Sequence, residues 1–268
     1  MSELKFTEEW IKVGELEVDP TIQRDHLDIN KINRMVAAYN PAALGVVTVS
    51  KRNKVTKIIL DGMHRRETVS RVTDNTGELL CHVFVNLTRA QEAQMFLDLN
   101  AGVPVSLLDK FKVRLVAEDP IALEIDRLTK AYGWTIGNSN KVGCIQCVGT
   151  VEKIYRTSLK AEAEPNYLQV ALLLVTHAWG NDKDGVQAAV LDGLASVAAE
   201  YGSDLDIGIL ERKLKTYPGG PLGLHTDGGQ LAALKNGRVA MGVAEQVVDW
   251  YNKGARKNRE LHQWRRRS

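Results

Sequence analysis

Apolar and polar positions along residues 1–104 follow two different periods. Short β-branched or alternating runs predict strands at 10–20, 44–52, 55–60 and 79–85. Apolar residues spaced three and four apart predict helices at 28–40 and 87–100. Another helix is expected directly after Gly62, carrying Val69 and Val72. This mixture predicts an α/β unit.

Residues 105–268 show helical spacing almost throughout. Beyond a helix that opens at Ser106, the predicted helices are 119–132, 144–157, 167–179, 185–201, 205–216 and 236–252. The glycine- and proline-rich stretch 217–229, which contains His225, predicts a long loop suited to a lid or a partner contact. We therefore expect an α+β protein, with an α/β domain at 1–104 and an all-helical domain at 105–268 that ends in a basic tail.

Two helix starts carry capping signatures. Thr88 is followed three residues later by Gln91, and Ser106 is followed three residues later by Asp109. A hydroxyl at the cap position and a polar side chain three residues on can satisfy the free amides of a first turn. These signatures predict helices that begin after Thr88 and after Ser106.

The composition is typical of a globular protein, with 44% hydrophobic and 25% charged residues. No apolar run approaches the roughly 20 residues of a membrane span, and the first residues lack the apolar core of a signal peptide. The three cysteines do not form a disulfide framework, and Cys144 and Cys147 lack further zinc ligands at suitable spacing. These features predict a cytoplasmic protein without a membrane partner.

Positive charge is concentrated at the C-terminal end. Seven Lys or Arg and one acid lie between Lys253 and Ser268, which gives this stretch +6, so the remainder carries −4 of the overall +2. Basic residues around Trp264 suit a nucleic-acid backbone with a stacked base, and a solvated terminus is the alternative. The candidate nucleic-acid-binding residues are Arg256, Lys257, Arg259, Arg265, Arg266 and Arg267.

The turn "DGMHRR" at 61–66 is the main candidate for chemistry. A helix that starts directly after a strand leaves its first amides without partners, and these amides attract anions. Gly62 allows close approach of the backbone, Arg65 and Arg66 supply donors for phosphate oxygens, and His64 can donate or transfer a proton. Asp61 would repel phosphate, so we expect it to orient an arginine, hold a metal or cap the helix. The alternative is an ordinary strand–helix junction with two surface arginines.

Four segments in chain order resemble the ParB/sulfiredoxin superfamily, and most closely the ParB-like domain proteins of actinobacteria and their phages. The segments are "LEVDPTIQR", "NPAALGVVTVSKR", "ILDGMHRRETV" and "LTRAQEAQMFLDLN". The tail "YNKGARKNREL" is also similar to such proteins. The resemblance implies a nucleotide-binding α/β domain.

By that resemblance, a nucleotide's phosphates would contact Gly62, His64, Arg65 and Arg66, with Arg24 approaching the same pocket. Asp98 and Asn100 match an acid and an asparagine that help to hold a magnesium ion or the phosphates. The implied cofactors are ATP or CTP with Mg²⁺. The alternative for Asp98 and Asn100 is an ordinary helix end.

Two departures restrict the function. Met63 occupies the position of the reactive cysteine of sulfiredoxins, and a thioether cannot perform that chemistry. Glu67 stands where partition-type ParB proteins carry an arginine, which weighs against CTP. The segment that follows the α/β domain has a long connection and few residues suited to reading bases, so it is a poor helix-turn-helix.

Three functions remain open. The first is a ParB-like nucleotide-binding protein that associates with DNA, with a second copy of itself as a candidate partner, in the host cytoplasm if a phage encodes it. The second is a phosphotransferase or nuclease on the same fold, with Asp61 and His64 as catalytic residues and Asp98 as a metal ligand. The third is a non-enzymatic protein that binds a phage or host partner.

Overall fold

The computed structural model describes residues 4–23, 27–101, 106–255 and 260–264. The chain divides into two compact units, Met1–Ala122 and Leu123–Ser268. The division falls within one helix, whereas the domain boundary predicted at 104/105 lies among residues outside the described ranges. That boundary stays a prediction.

The first unit contains a five-stranded sheet with the order β1-β5-β3-β4-β2. Its strands are β1 (Phe6–Lys12), β2 (Leu16–Glu17), β3 (Val47–Lys51), β4 (Lys57–Asp61) and β5 (Glu78–Val85). β3 and β5 are parallel neighbours, as are β2 and β4, while β1 pairs with β5 and β4 with β3 in the antiparallel sense. The mixed α/β architecture confirms the predicted fold class.

The helices of this unit follow the predicted spacing closely. They are α1 (Ile29–Ala37), α2 (Met63–Val72), α3 (Arg89–Leu99), α4 (Leu107–Val116) and the first residues of α5 (Pro120–Ala131). Thr88 and Gln91 form the expected capping box at α3, and the Ser106 hydroxyl accepts the Asp109 amide at α4. Both predicted helix starts are confirmed.

Two apolar clusters hold the sheet and its helices together. One cluster joins β1, β3, β4 and β5 to α2 through residues such as Val49, Ile59, Val69 and Cys81. A second, smaller cluster contains Ile22, Ala93, Phe96 and Val113 and joins α3 and α4. The segment between β2 and α1 is thus anchored at Ile22, which is 1% exposed.

The second unit is built mainly from helices, as predicted. They are the remainder of α5 and α6 (Val148–Lys160), α7 (Tyr167–Trp179), α8 (Ala188–Tyr201), α9 (Ile207–Lys215), α10 (Gly220–Leu234) and α11 (Val239–Asn252). A short parallel pair, β6 (Thr135–Ile136) and β7 (Cys144–Ile145), precedes α6. The helix predicted from residue 144 therefore starts later than expected. No helix in the described ranges is long and apolar enough to cross a membrane.

The predicted loop at 217–229 is wrong, because most of it belongs to helix α10. A Cβ on Gly242 would lie 2.0 Å from the carbonyl oxygen of Gly228, and a Cβ on Gly228 would lie 2.6 Å from Cγ2 of Val243. The glycines therefore allow α10 and α11 to pack backbone against backbone. His225 lies on this helix and not on a lid.

Candidate functional site

The turn between β4 and α2 depends on Gly62. Its φ of +108° is unfavourable for other residues, and a Cβ there would lie 2.8 Å from Cγ2 of the buried Val47. Contacts within the protein thus already require a glycine here, and its role in the approach of a phosphate stays a prediction. No side-chain hydrogen bond caps α2 within the described part of the chain.

A cleft of about 510 Å³ opens at this end of α2. Its walls come from α1 with Lys31 and Met35, from the segment before β3 with Leu44, and from the end of α3 with Phe96 and Asn100. Gly62, Met63, His64 and Arg65 line it from the start of α2, and Asp61 from the end of β4. The structure thus brings Asp61, Gly62, His64, Arg65 and Asn100 of the sequence prediction to one cleft.

Arg65 lines the cleft but is already engaged by the protein. Its Nη2 lies 2.6 Å from Oδ2 of Asp61, and its Nη1 donates to the carbonyl of Val46 at 2.6 Å. The Arg65 side chain is 22% exposed. Asp61 thus orients an arginine, which is one of the roles expected for it, and the arginine holds the segment before β3 against α2.

Arg66 does not reach the cleft. Its Nε donates to the Val13 carbonyl at 3.1 Å, and its Nη1 lies 3.4 Å from Glu67, which also pairs with Arg71. Neither Arg66 nor Glu67 lines the cleft. The expected phosphate contact of Arg66 has no support in this geometry, and the choice between ATP and CTP stays a prediction.

His64 connects α2 to the start of α1. Its Nε2 accepts the backbone N–H of Asp28 at 3.2 Å, so the neutral ring with this bond carries its proton on Nδ1. Asp28 also lines the cleft. Its pKa is lowered, mainly because its carboxylate accepts the backbone N–H of Lys31 at 3.0 Å. Asp28 is thus an ionised cap at the cleft rim.

The predicted pair at the end of α3 is separated. Asn100 lines the cleft and donates through Nδ2 to the Phe96 carbonyl at 2.9 Å. Asp98 is exposed, accepts a hydrogen bond from Gln94 at 2.8 Å and does not line the cleft. Among the described residues that line the cleft, the carboxylates are therefore those of Asp28 and Asp61. Among the residues that the structure describes, no three or more His, Cys, Asp or Glu gather into a metal-binding cluster.

Several predicted residues lie outside the described ranges. They are Arg24 and the tail residues Arg256, Lys257, Arg259, Arg265, Arg266 and Arg267. Three polar residues that line the cleft were not predicted, namely Gln23, Asp28 and Lys31. Gln23 donates to the Ile59 carbonyl at 2.5 Å. The sequence could have shown that Lys31 lies in the first turn of a helix, because it stands three residues after the capping Asp28. A cap does not show, however, that this helix lines a cleft.

A buried ionic network holds the segment that carries Gln23. The guanidinium of Arg52 contacts Glu92 on α3 at 2.5 to 3.1 Å and Asp19 at 2.7 Å. Glu92 is fully buried and also accepts the Ser50 hydroxyl at 2.6 Å. The pKa of Arg52 is raised, chiefly by its hydrogen bonds to Glu92. This network fixes the wall of the cleft from β3 and α3.

The fold and the cleft define a class of protein: a mixed α/β unit with a cleft at the start of a helix, in a chain that continues into a helical unit. The chain belongs to a family described as "Family of unknown function (DUF6551)", whose model matches residues 20–260. No curated protein matches the chain. A solved structure described as the pNOB8-like ParB N-domain aligns with 97% of this chain and 95% of its own chain, at 13% identity and a TM-score of 0.44.

Proposed function

We propose that this chain is a ParB-like nucleotide-binding protein that associates with DNA. The observation that supports the proposal most directly is the position of the uncapped start of α2 at the floor of the cleft. Free amides at a helix start attract phosphate, and Lys31 and His64 stand on the walls beside them. The site therefore offers donors and a positive charge to a polyanion.

The four segments that resemble the ParB/sulfiredoxin superfamily all contribute to this cleft. Gln23 comes from the first segment, Leu44 from the second, His64 from the third and Asn100 from the fourth. These segments are far apart in the chain, so their convergence on one cleft supports the view that the resemblance concerns a common site.

The charges at the cleft favour a nucleotide that brings a cation. Among the described lining residues, the carboxylates of Asp28 and Asp61 offset the charges of Lys31 and Arg65. A bare triphosphate would meet two carboxylates, whereas Mg²⁺ could be shared between phosphate oxygens and one of them. Mg²⁺ is usually held by one or two carboxylates together with phosphate, and Asp28 and Asp61 are two carboxylates at this cleft.

A place for a nucleobase adjoins the phosphate end. Met35 and Leu44 also line a neighbouring cleft of about 460 Å³ between α1 and the segment before β3. Its other lining residues include Ala38, Ala43 and Arg34. An apolar slot with a few polar groups is the usual form of a base pocket.

Calorimetric titration of the full chain with ATP and with CTP, each with Mg²⁺, tests nucleotide binding. We expect saturable binding of at least one nucleotide. Lys31→Gln removes a cation from the cleft and should weaken the affinity roughly tenfold. Lys54→Gln removes the same charge at the exposed turn between β3 and β4 and should leave the affinity unchanged. Absence of binding heat for both nucleotides would remove the nucleotide part of the proposal.

DNA association is tested separately by fluorescence anisotropy at several salt concentrations. We expect the binding constant to fall steeply with salt, and deletion of 254–268 to reduce the slope, because each lost phosphate contact removes about 0.9 from it. If the deletion leaves the salt dependence unchanged, the tail does not contact DNA. If the full chain shows no salt-dependent binding, the DNA part of the proposal is removed. If the chain hydrolyses nucleotide or DNA, or transfers a phosphate, and Lys31→Gln and His64→Gln abolish that activity, the phosphotransferase or nuclease function would be favoured instead.

A further inference from the structure

Strand β1 is the edge of the five-stranded sheet, and no described strand lies beyond it. It is seven residues long, contains no proline or glycine, and pairs with β5 without a register shift. Edge strands with these properties are open to pairing with another chain. The free side of β1 is therefore a candidate interface.

The backbone groups that face outward on β1 follow from the ladder. The Val13 N–H donates to the Gly77 carbonyl at 2.9 Å, which continues the register in which Ile11 is opposite Leu79. Because bonded and non-bonded pairs alternate in an antiparallel ladder, Thr7, Glu9 and Ile11 bond to β5. The amides and carbonyls of Phe6, Glu8, Trp10 and Lys12 point away from the sheet.

The side chains of Phe6, Glu8, Trp10 and Lys12 lie on one face of the sheet and form an exposed strip. Trp10 is 67% exposed and Phe6 is 48% exposed, which is high for aromatic side chains. The Phe6 ring lies 5.5 Å from the ring of Phe84 on β5, measured between centroids. The strip thus continues from the edge strand onto its neighbour.

The sequence of the strip is self-complementary about Trp10. If two copies of β1 pair around a two-fold axis at Trp10, each Glu8 lies opposite Lys12 of the second copy, and the two Trp10 rings lie side by side. An axis at Glu8 or at Glu9 would instead place like carboxylates opposite each other. Opposite charges and aromatic pairs stabilise cross-strand contacts, whereas like charges destabilise them.

We propose that β1 is a homodimer interface, in which two copies of this chain pair their edge strands antiparallel with Trp10 on the two-fold axis. The two sheets then join into one continuous sheet. The partner is a second copy because, with Trp10 on the axis, Glu8 of each copy lies opposite Lys12 of the other, and a symmetric interface requires such self-complementarity. This inference does not depend on the nucleotide or on DNA.

A charge-swap experiment on the full chain tests the interface by sedimentation equilibrium. Wild type is expected to form a concentration-dependent dimer. Glu8→Lys alone places two lysines opposite each other, Lys12→Glu alone places two carboxylates opposite each other, and each should weaken the dimer roughly tenfold or more. The double variant with both changes restores opposite charges and should restore the dimer. An equimolar mixture of the two single variants should form heterodimers.

Glu17→Lys provides the matched control, because it makes the same charge change at an exposed position of β2, the opposite edge of the sheet. It should leave the dimer intact, and circular dichroism should show that every variant folds. A monomeric wild type would overturn the proposal. So would a dimer that both single variants leave unchanged, or a double variant as weak as the single variants.

Discussion

Nη2 of Arg65 lies 2.6 Å from Oδ2 of Asp61, so the arginine at the start of α2 already has an anionic partner. The same guanidinium donates to the Val46 carbonyl. A phosphate at this cleft would therefore meet an arginine that is held in place but partly neutralised. If the cleft binds phosphate, the carboxylate of Asp61 should weaken its attraction for an anion that brings no cation.

Replacing Asp61 tests this balance. We expect Asp61→Asn to bind nucleotide in EDTA roughly three- to tenfold more tightly than wild type, because the cleft loses a negative charge while Arg65 keeps its carbonyl acceptor. With Mg²⁺ the gain should shrink, since the amide is a poorer metal ligand. Calorimetry with and without Mg²⁺ measures both effects.

Asp98→Asn is the control for that experiment, because it makes the same change at an exposed site outside the cleft. It should not alter nucleotide affinity in either condition. Equal affinities of wild type and Asp61→Asn in EDTA would contradict the expected role of Asp61.

Arg65 and Arg66 were expected to share one anion site, and the geometry of a helix explains why they do not. Successive helical residues are rotated by about 100° from each other, so neighbours in sequence face different directions. Arg65 turns to the cleft and Arg66 turns to Val13. The position of the turn could be predicted from its glycine and its place after a strand. The direction of each side chain could not, because it depends on how the helix is rotated about its axis relative to the sheet.

The ion pair of Arg52 and Glu92 should contribute strongly to stability. Glu92 is fully buried and holds both Ser50 and the partly buried Arg52, so its replacement leaves the guanidinium with fewer acceptors. We expect Glu92→Gln to lower the free energy of unfolding by about 3 kcal/mol. Denaturation in urea measures the change.

Glu124→Gln is a suitable comparison, since Glu124 pairs with Arg127 on an exposed helix surface. Its replacement should cost less than about 1 kcal/mol, because exposed ion pairs contribute little. Similar losses for the two variants would show that the Arg52 network is not a stabilising element. No sequence pattern predicts this network, because Arg52 and Glu92 are about forty positions apart and meet only in the folded sheet.

Asp19 should make stability depend on acidic pH. Burial alone would raise the pKa of Asp19, but hydrogen bonds from Thr21 and Arg52 and the charge of Arg89 outweigh burial and lower it below 3.8. A carboxyl group whose pKa is lower in the folded state stabilises the fold above its unfolded pKa. This contribution is lost as the pH falls through the folded value.

Asp19→Asn should therefore be less stable than wild type at about pH 7, and the difference should shrink at about pH 3. Urea unfolding at both pH values measures it, with Asp98→Asn as an exposed control. A difference that stays constant between the two pH values would show that the charge of Asp19 does not stabilise the fold.

Local periodicity predicted most strands and helices, because each period reflects which side of an element is buried. The boundaries of α7 match the prediction, and α3 follows its capping signature. The prediction of a loop at 217–229 was wrong for a different reason. Glycine and proline disfavour an isolated helix, but α10 obtains its stability from close packing against α11, which no local rule anticipates.

That packing can be tested at two adjacent glycines of α10. A Cβ on Gly228 would lie 2.6 Å from Cγ2 of Val243 and 2.7 Å from its amide nitrogen, whereas a Cβ on Gly229 has its nearest neighbour at 4.0 Å. We expect Gly228→Ala to lower the free energy of unfolding by about 2 kcal/mol, because the helices must move apart. Gly229→Ala should raise it by up to about 1 kcal/mol, because alanine favours the helix. Thermal and urea unfolding of both variants measure the contrast. If Gly228→Ala is as stable as Gly229→Ala, then α10 does not need close backbone contact with α11, and the explanation for its glycines is wrong.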